Sequence, residues 1–214
     1  FRTTDGAGVK LVRVLGNLTT KEFDPILMLD SFDSINPDDY TAGFPMHPHR
    51  GIETISYVSR GKMVHRDSLG NEAGISDGEV QWLNLPAKDK MSKPSYNSIK
   101  NEDIKEIEIE GGKIRLLAGK YGEHEGYKGD YLSMDYYDIH LNADAEVTLT
   151  MEEDDSVMVF TLLGDVYIDG EHIEEKTAVK LTEGDSLTIK NGNEKAQVLY
   201  MNSRALNEPV AWAG

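Results

Sequence analysis

The chain has no cysteine. Disulfides, thiolate nucleophiles and cysteine-ligated zinc or iron–sulfur centres are therefore excluded, and a reducing, cytoplasmic setting is the expectation. It also has no apolar run approaching the 18 or more residues of a membrane span, and no leader pattern opens it, so no membrane role is expected. Phe1 stands where an initiating Met would be, so residues upstream are expected. Positive charge is scarce: 22 Lys and Arg face 38 Asp and Glu, a net charge of −16. The densest basic stretch, "PAKDKMSKP", is itself mixed. Direct contact with nucleic-acid phosphates needs clustered Lys and Arg and is disfavoured, although the charge says nothing against a protein partner. Helical signals are few: "SINPDDYTAG" and "SIKNEDIKEI" hold one short turn each at best.

What fills the chain instead is alternation. "GVKLVRVLG", "ETISYVSRG", "DIKEIEIEGGKIRLLAG" and "DIHLNADAEVTLTM" place apolar residues at period two, with Gly, Asp and Asn turns between them. That pattern predicts an all-β protein built as a sandwich or barrel. A repeat is also visible. Both "ISYVSRGKMVHRDSLGNEAGISDGEVQWLN" and "MVFTLLGDVYIDGEHIEEKTAVKLTEGDSLTIKN" run apolar strand, Gly, strand, polar hairpin, strand, acidic-Gly turn, strand. Gly61 and Gly164 each sit where a tight turn is expected to join two antiparallel strands, and Gly78 and Gly184 each follow an acidic residue, as a positive-φ turn position prefers. Two tandem barrels follow from this, with the glycine-rich "GKYGEHEGYKGD" as the joint: residues 1–120 form the first and 121–214 the second. A tandem repeat already gives each barrel a neighbour, so a monomer is expected.

The motif richest in chemistry is "GFPMHPHRGIET", residues 43–54. On a strand, His47 and His49 share a face about 7 Å apart and can converge on one ion. Pro48 removes a backbone donor and suits an edge or bulge. Glu53 either joins such a site or points elsewhere, depending on local offset. Imidazoles, a carboxylate and open positions suit non-haem Fe(II), with Mn, Ni, Cu and Zn as competitors. A polar turn holding no ion fits the same residues. His65, beyond the Gly61 turn, is expected to lie in the same module. His124, His140 and His172 are scattered singly and read as structural. The methionines read as core filling.

Together, "GFPMHPHRGIETISY", "GKMVHRDSLGN", "DGEVQW", "NLPAKDKM", "GDVYIDG" and "EGDSLTIKN" resemble the pirin family of tandem-cupin proteins, in order and over nearly the whole chain. The resemblance implies a bicupin fold, two jelly-roll β-barrels, with one mononuclear metal, usually iron, in the N-terminal barrel. It makes His47 and His49 the metal ligands and leaves Glu53 and His65 as residues near the site. The chain also departs from the pattern. Pirins follow the "DGEVQW" strand with a stretch that carries a third histidine and a glutamate, then return to "NLPAKDKM". Here Trp82 is followed at once by Leu83. Because a barrel that loses a strand opens an edge, a segment missing between residues 82 and 83 is the expectation. The C-terminus likewise stops at "EPVAWAG", short of the family pattern. In the second barrel "TMEEDDS" has no histidine, so Glu152, Glu153 and Asp154 are expected to form a solvated turn.

Two functions follow from the resemblance. One is a metal-dependent dioxygenase acting on flavonols such as quercetin, a small aromatic substrate, with the catalytic glutamate absent from this chain. The other is a metal- or redox-sensing regulator that docks on a protein partner without turnover.

Overall fold

The computed structural model describes residues 1–47, 52–84 and 95–210. Among the described residues twenty β-strands make up the secondary structure, with 3-10 turns at Pro37–Asp39 and Asn101–Asp103. These two turns fall in the two segments whose sequence carried a helical signal. The Asn36 side chain caps the first by accepting the Asp38 N–H at 3.2 Å, as a residue before a helical turn is suited to do.

Contacts divide the chain into two compact units that are not contiguous in sequence. One comprises Phe1–Pro45, Glu110–Gly112 and Ile139–Gly214; the other comprises Met46–Ile109 and Lys113–Asp138. The division differs from a boundary at residue 120, because the N-terminal segment is fastened to the C-terminal half. Asp24 accepts the N–H groups of Leu206 at 3.1 Å and Asn207 at 2.6 Å, and its carbonyl takes the Ser156 hydroxyl. A sequence reveals which residues alternate, but these long-range bonds decide what they belong to.

In the first unit, Arg2–Asp5, Val9–Leu15 and Leu29–Ser31 form an antiparallel sheet. A second sheet orders Glu146–Thr150, Ser186–Asn191, Val166–Ile168 and Glu171–Ile173. The strand Asp155–Leu163 pairs with Ala178–Leu181 on one side and Ala196–Arg204 on the other. Period-two alternation buries Val147, Leu149, Leu187 and Ile189 while Thr148 and Thr188 bond to each other on the exposed face at 2.8 Å. The buried Asn191 is fully used: Oδ1 accepts from Ala145 N, and Nδ2 donates to the Asn142 and Glu194 carbonyls. Glu152, Glu153 and Asp154 are exposed in the bend before Asp155, the solvated turn expected of them.

In the second unit the strand Val80–Asn84 is central, pairing with Thr54–Tyr57 and with Ser95–Ile99. Its register runs unbroken through Trp82 and Leu83 on both sides, so no edge opens at that junction. Trp82, Val80 and Ile75 are fully buried. Gly61 turns the chain with φ +107 as expected, but the strand that follows, Lys62–Arg66, pairs with Glu72–Ser76 and not with Thr54–Tyr57. The acidic-Gly turn is closed at Gly78, φ +78, whose missing side chain leaves room for the Arg115 guanidinium: a Cβ there would lie 2.6 Å from Nη1.

Candidate metal centre

His47 precedes the strand Thr54–Tyr57 and is not carried on it. His47 is exposed and lies outside any strand, and His49 falls outside the described residues. Later in the motif, Glu53 is only partly covered, and its carboxylate meets a backbone N–H and a buried indole. Oε1 accepts the Leu132 N–H at a long 3.4 Å, while Oε2 is buried without a hydrogen-bond partner. Burial therefore raises the Glu53 pKa, opposed by the N–H groups of Leu132 and Tyr131 and by the nearby Trp82 indole. The Trp82 N–H is itself buried with no completed bond, so it stabilises the carboxylate by proximity and not by a formed hydrogen bond. The Glu53 carboxylate thus faces Trp82 and the Tyr131–Leu132 backbone.

His65 lies on the strand after the Gly61 turn. On Lys62–Arg66, exposed and covered residues alternate, putting Met63 and His65 on the inner side, opposite Ile75 and Ala73. The His65 ring stacks on Tyr96, centroids 4.1 Å apart and planes tilted by 32°. Its Nε2 is buried and has no hydrogen-bond partner. Burial lowers its pKa; Asp67 opposes this, and His47 lowers it further. His47 and His65 therefore lie within electrostatic reach of each other. Asp67 is committed elsewhere, to the N–H groups of Leu69 and Asn71 and to the Asn71 amide.

An unsatisfied buried polar atom costs about 1–3 kcal/mol. Among the described residues this unit has four: Glu53 Oε2, His65 Nε2, Gln81 Nε2 and Trp82 Nε1. Native folds leave few such groups, and a bound ion is one ordinary explanation. An imidazole nitrogen with no partner of its own, in the electrostatic reach of a second imidazole, fits a divalent cation. Among the described residues no three His, Asp or Glu side chains are grouped for a metal, so the fit rests on imidazoles. Elsewhere, His124 is exposed and His140 partly covered, and His172 bonds Asp165 at 2.9 Å. A shallow depression of about 510 Å³, lined by Tyr167, Asp169 and Lys190 among others, belongs to the other unit and contains no histidine.

The polar network in this unit was not anticipated from the residues. Asp138, fully buried, accepts from Tyr57 Oη at 2.8 Å and from Arg115 Nη1 at 3.3 Å. Arg115 also donates to the Gly78 carbonyl, to Asn101 Oδ1 and to Glu106 Oε1. Burial, with Asp138 beside it, holds the Tyr57 phenol far above its ordinary pKa. The signal available was one charge in each of two apolar runs, "IRLLA" and "YYDI". Tyr57 ends the strand that follows the histidine motif, so the network anchors that strand.

Comparison with known proteins extends this geometry. The family model described as Pirin matches residues 8–87, and the one described as Pirin C-terminal cupin domain matches 136–214. A Pseudomonas aeruginosa protein named "Putative quercetin 2,3-dioxygenase" is 34% identical over 246 positions, covering 99% of this chain and 86% of its own. The chain belongs to the pirin family. Human pirin is 29% identical, covering 99% of this chain and 82% of its own. A crystal structure of quercetin 2,3-dioxygenase from Acinetobacter baumannii superposes with a TM-score of 0.85 at 25% identity, over 100% of this pirin and 87% of that chain. The bacterial pirin YhhW from Escherichia coli, solved in complex with nickel(II), shares the fold with a TM-score of 0.73 at 16% identity, over 96% of each chain. The fold is thus all-β and bicupin. The 246 aligned positions exceed the 214 residues of this pirin by 32, so the Pseudomonas relative carries residues within the aligned span that this pirin lacks.

Proposed function

We propose that this pirin binds one divalent metal ion, Fe(II), through His47 and His49 and acts as a dioxygenase on flavonol-type aromatic substrates. The observation that supports the metal reading is the buried Nε2 of His65, without a hydrogen-bond partner and within electrostatic reach of His47, in the unit that carries the histidine motif of the family. The names of the relatives support the activity, and the nickel bound to YhhW supports a metal in this fold.

Iron(II) held there would supply a Lewis acid for the flavonol hydroxyl and the one-electron chemistry that dioxygen requires. The chain's own part is to hold and orient. His47 and His49 provide neutral imidazole donors, and Tyr96 fixes the plane of the neighbouring His65 ring. The Tyr57–Asp138–Arg115 network holds the strand that follows the motif. Glu53, turned toward Trp82, is not assigned the proton-accepting role of the missing family glutamate. The test is anaerobic loading with Fe(II), followed by quercetin absorbance and oxygen uptake. Turnover in the wild type and its loss in His47→Ala are expected. Stoichiometric metal binding with no turnover would refute the dioxygenase reading and leave a metal-responsive regulator.

A further inference from the structure

The strand Ala178–Leu181 sets Lys180 opposite Met158, which is buried. Ser156 lies two residues before Met158 on the same strand, so it shares that face and meets the Lys180 side chain diagonally. There Lys180 Nζ donates to Ser156 Oγ, and the Ser156 hydroxyl donates in turn to the Asp24 carbonyl. With its one proton committed, the hydroxyl serves the amine only as an acceptor. The half-covered carboxylates alongside, Asp24 and Asp155, are engaged elsewhere. Asp24 accepts the N–H groups of Leu206 and Asn207. Asp155 accepts from Asn202 Nδ2 and the Glu152 N–H and pairs with Arg204. Partial burial disfavours the ammonium form and lowers the Lys180 pKa, with Asp24 opposing. These groups open on a depression of about 240 Å³. Glu22, Asp24, Asp154 and Asp155 surround it against the amines of Lys21 and Lys180, so its rim repels anions.

We propose that Lys180 is a nucleophilic amine that binds small uncharged aldehydes covalently, as a Schiff base. In its unprotonated form the nitrogen keeps a lone pair that no donor claims, because Ser156 only accepts from it. A partly desolvated lysine is suited to this chemistry. The lone pair forms the C–N bond to the carbonyl carbon while the C=O π pair moves to oxygen. The alkoxide then takes a proton from the nitrogen, which has become cationic, to give a carbinolamine. Loss of water leaves the imine: one amine and one aldehyde yield one imine and one water, with no change of oxidation state. Every residue of this site belongs to the unit that does not contain His47, so the proposal is independent of the metal reading.

Reductive trapping reads the adduct residue by residue. The wild-type chain is incubated at neutral pH with propanal and cyanoborohydride, and peptide mass spectrometry follows each lysine over time. Lys180 is expected to be alkylated severalfold faster than Lys21, which is exposed on the rim of the same depression. With glyoxylate, an aldehyde carrying a negative charge, the rate at Lys180 relative to the exposed Lys62 should fall severalfold from its value with propanal. Lys180→Met should lose the fast adduct and leave the others unchanged. If Lys180 reacts no faster than Lys21, its amine is an ordinary one and the proposal falls. If the two aldehydes give the same ratio, the carboxylates do not select and the assignment of an uncharged ligand falls. Because the decisive rates are taken on the wild type, a poorly folded variant leaves the answer intact.

Discussion

Replacing Arg115 with Met tests the load carried by the buried network. The substitution preserves an unbranched side chain of similar reach and removes the charge and every donor. Asp138 would then keep Tyr57 but lose its counter-charge in a site where its side chain is 0% exposed and that of Arg115 is 9% exposed. Breaking a buried ion pair by deleting one partner costs about 3–5 kcal/mol, because the surviving charge stays desolvated. The Gly78 carbonyl and the Asn101 amide also lose their donor. For a chain of this length the loss corresponds to a fall in Tm of roughly 6–20 °C. Urea unfolding at pH 7, followed through the emission of the buried Trp82, measures it in the affected unit. The double variant Arg115→Met/Asp138→Asn supplies the control: it removes both charges while leaving Tyr57 an acceptor, and should recover much of the loss. A cost below about 1 kcal/mol for the single variant, or no recovery in the double, would show that the pair is solvated and the reasoning wrong.

Other outcomes follow from the same structure. Gly78→Ala strains a φ of +78 and drives a methyl group against the Arg115 guanidinium, at a cost of about 1–3 kcal/mol. In the Arg115→Met background the steric part should fall, a coupling that a double-mutant cycle in urea would read. Glu53 binds its proton more tightly in the fold than in the open chain, since burial raises its pKa above the ordinary 4.5. Stability should therefore decline as pH rises from the ordinary value through the raised one, and level off above it. Glu53→Gln should be more stable than wild type at pH 8, with the advantage gone near pH 4, as thermal melts across that range would show. If turnover occurs without an enzyme base at the metal, kcat/KM for quercetin should climb with pH through the flavonol's own ionisation. A bell-shaped profile would instead reveal a protein carboxylate acting there.

Much of this was legible in the residues. Alternation predicted the strands, and the glycines at 61, 78, 164 and 184 all adopt the positive φ that their turns require. Both helical signals became single 3-10 turns. Alternation, however, fixes which side of a strand is covered without saying which strand lies alongside. That is why Lys62–Arg66 found Glu72–Ser76, and why Phe1–Pro45 groups with the C-terminal half. The site was legible in part for the same reason. The His47 and His49 spacing marks a pair of donors, but the contribution of His65 depends on Tyr96, 31 residues away in a stretch with no periodic signal. Glu53 lies close to the motif in sequence, yet local offset turns its carboxylate toward Trp82.

The unbroken strand Val80–Asn84 has a consequence for engineering. Trp82 and Leu83 are consecutive rungs of a ladder bonded on both flanks, to Ile55 and Thr54 on one side and to Asn97 and Tyr96 on the other. Side chains alternate along such a ladder, so a join made here must preserve parity or every residue beyond it would change face. The pairing through residues 82 and 83 is in phase on both flanks. Inserting a further stretch between them would therefore not extend a loop. It would cut a central strand in two, and the recipient would have to supply new partners for both halves before any added histidine could reach an ion.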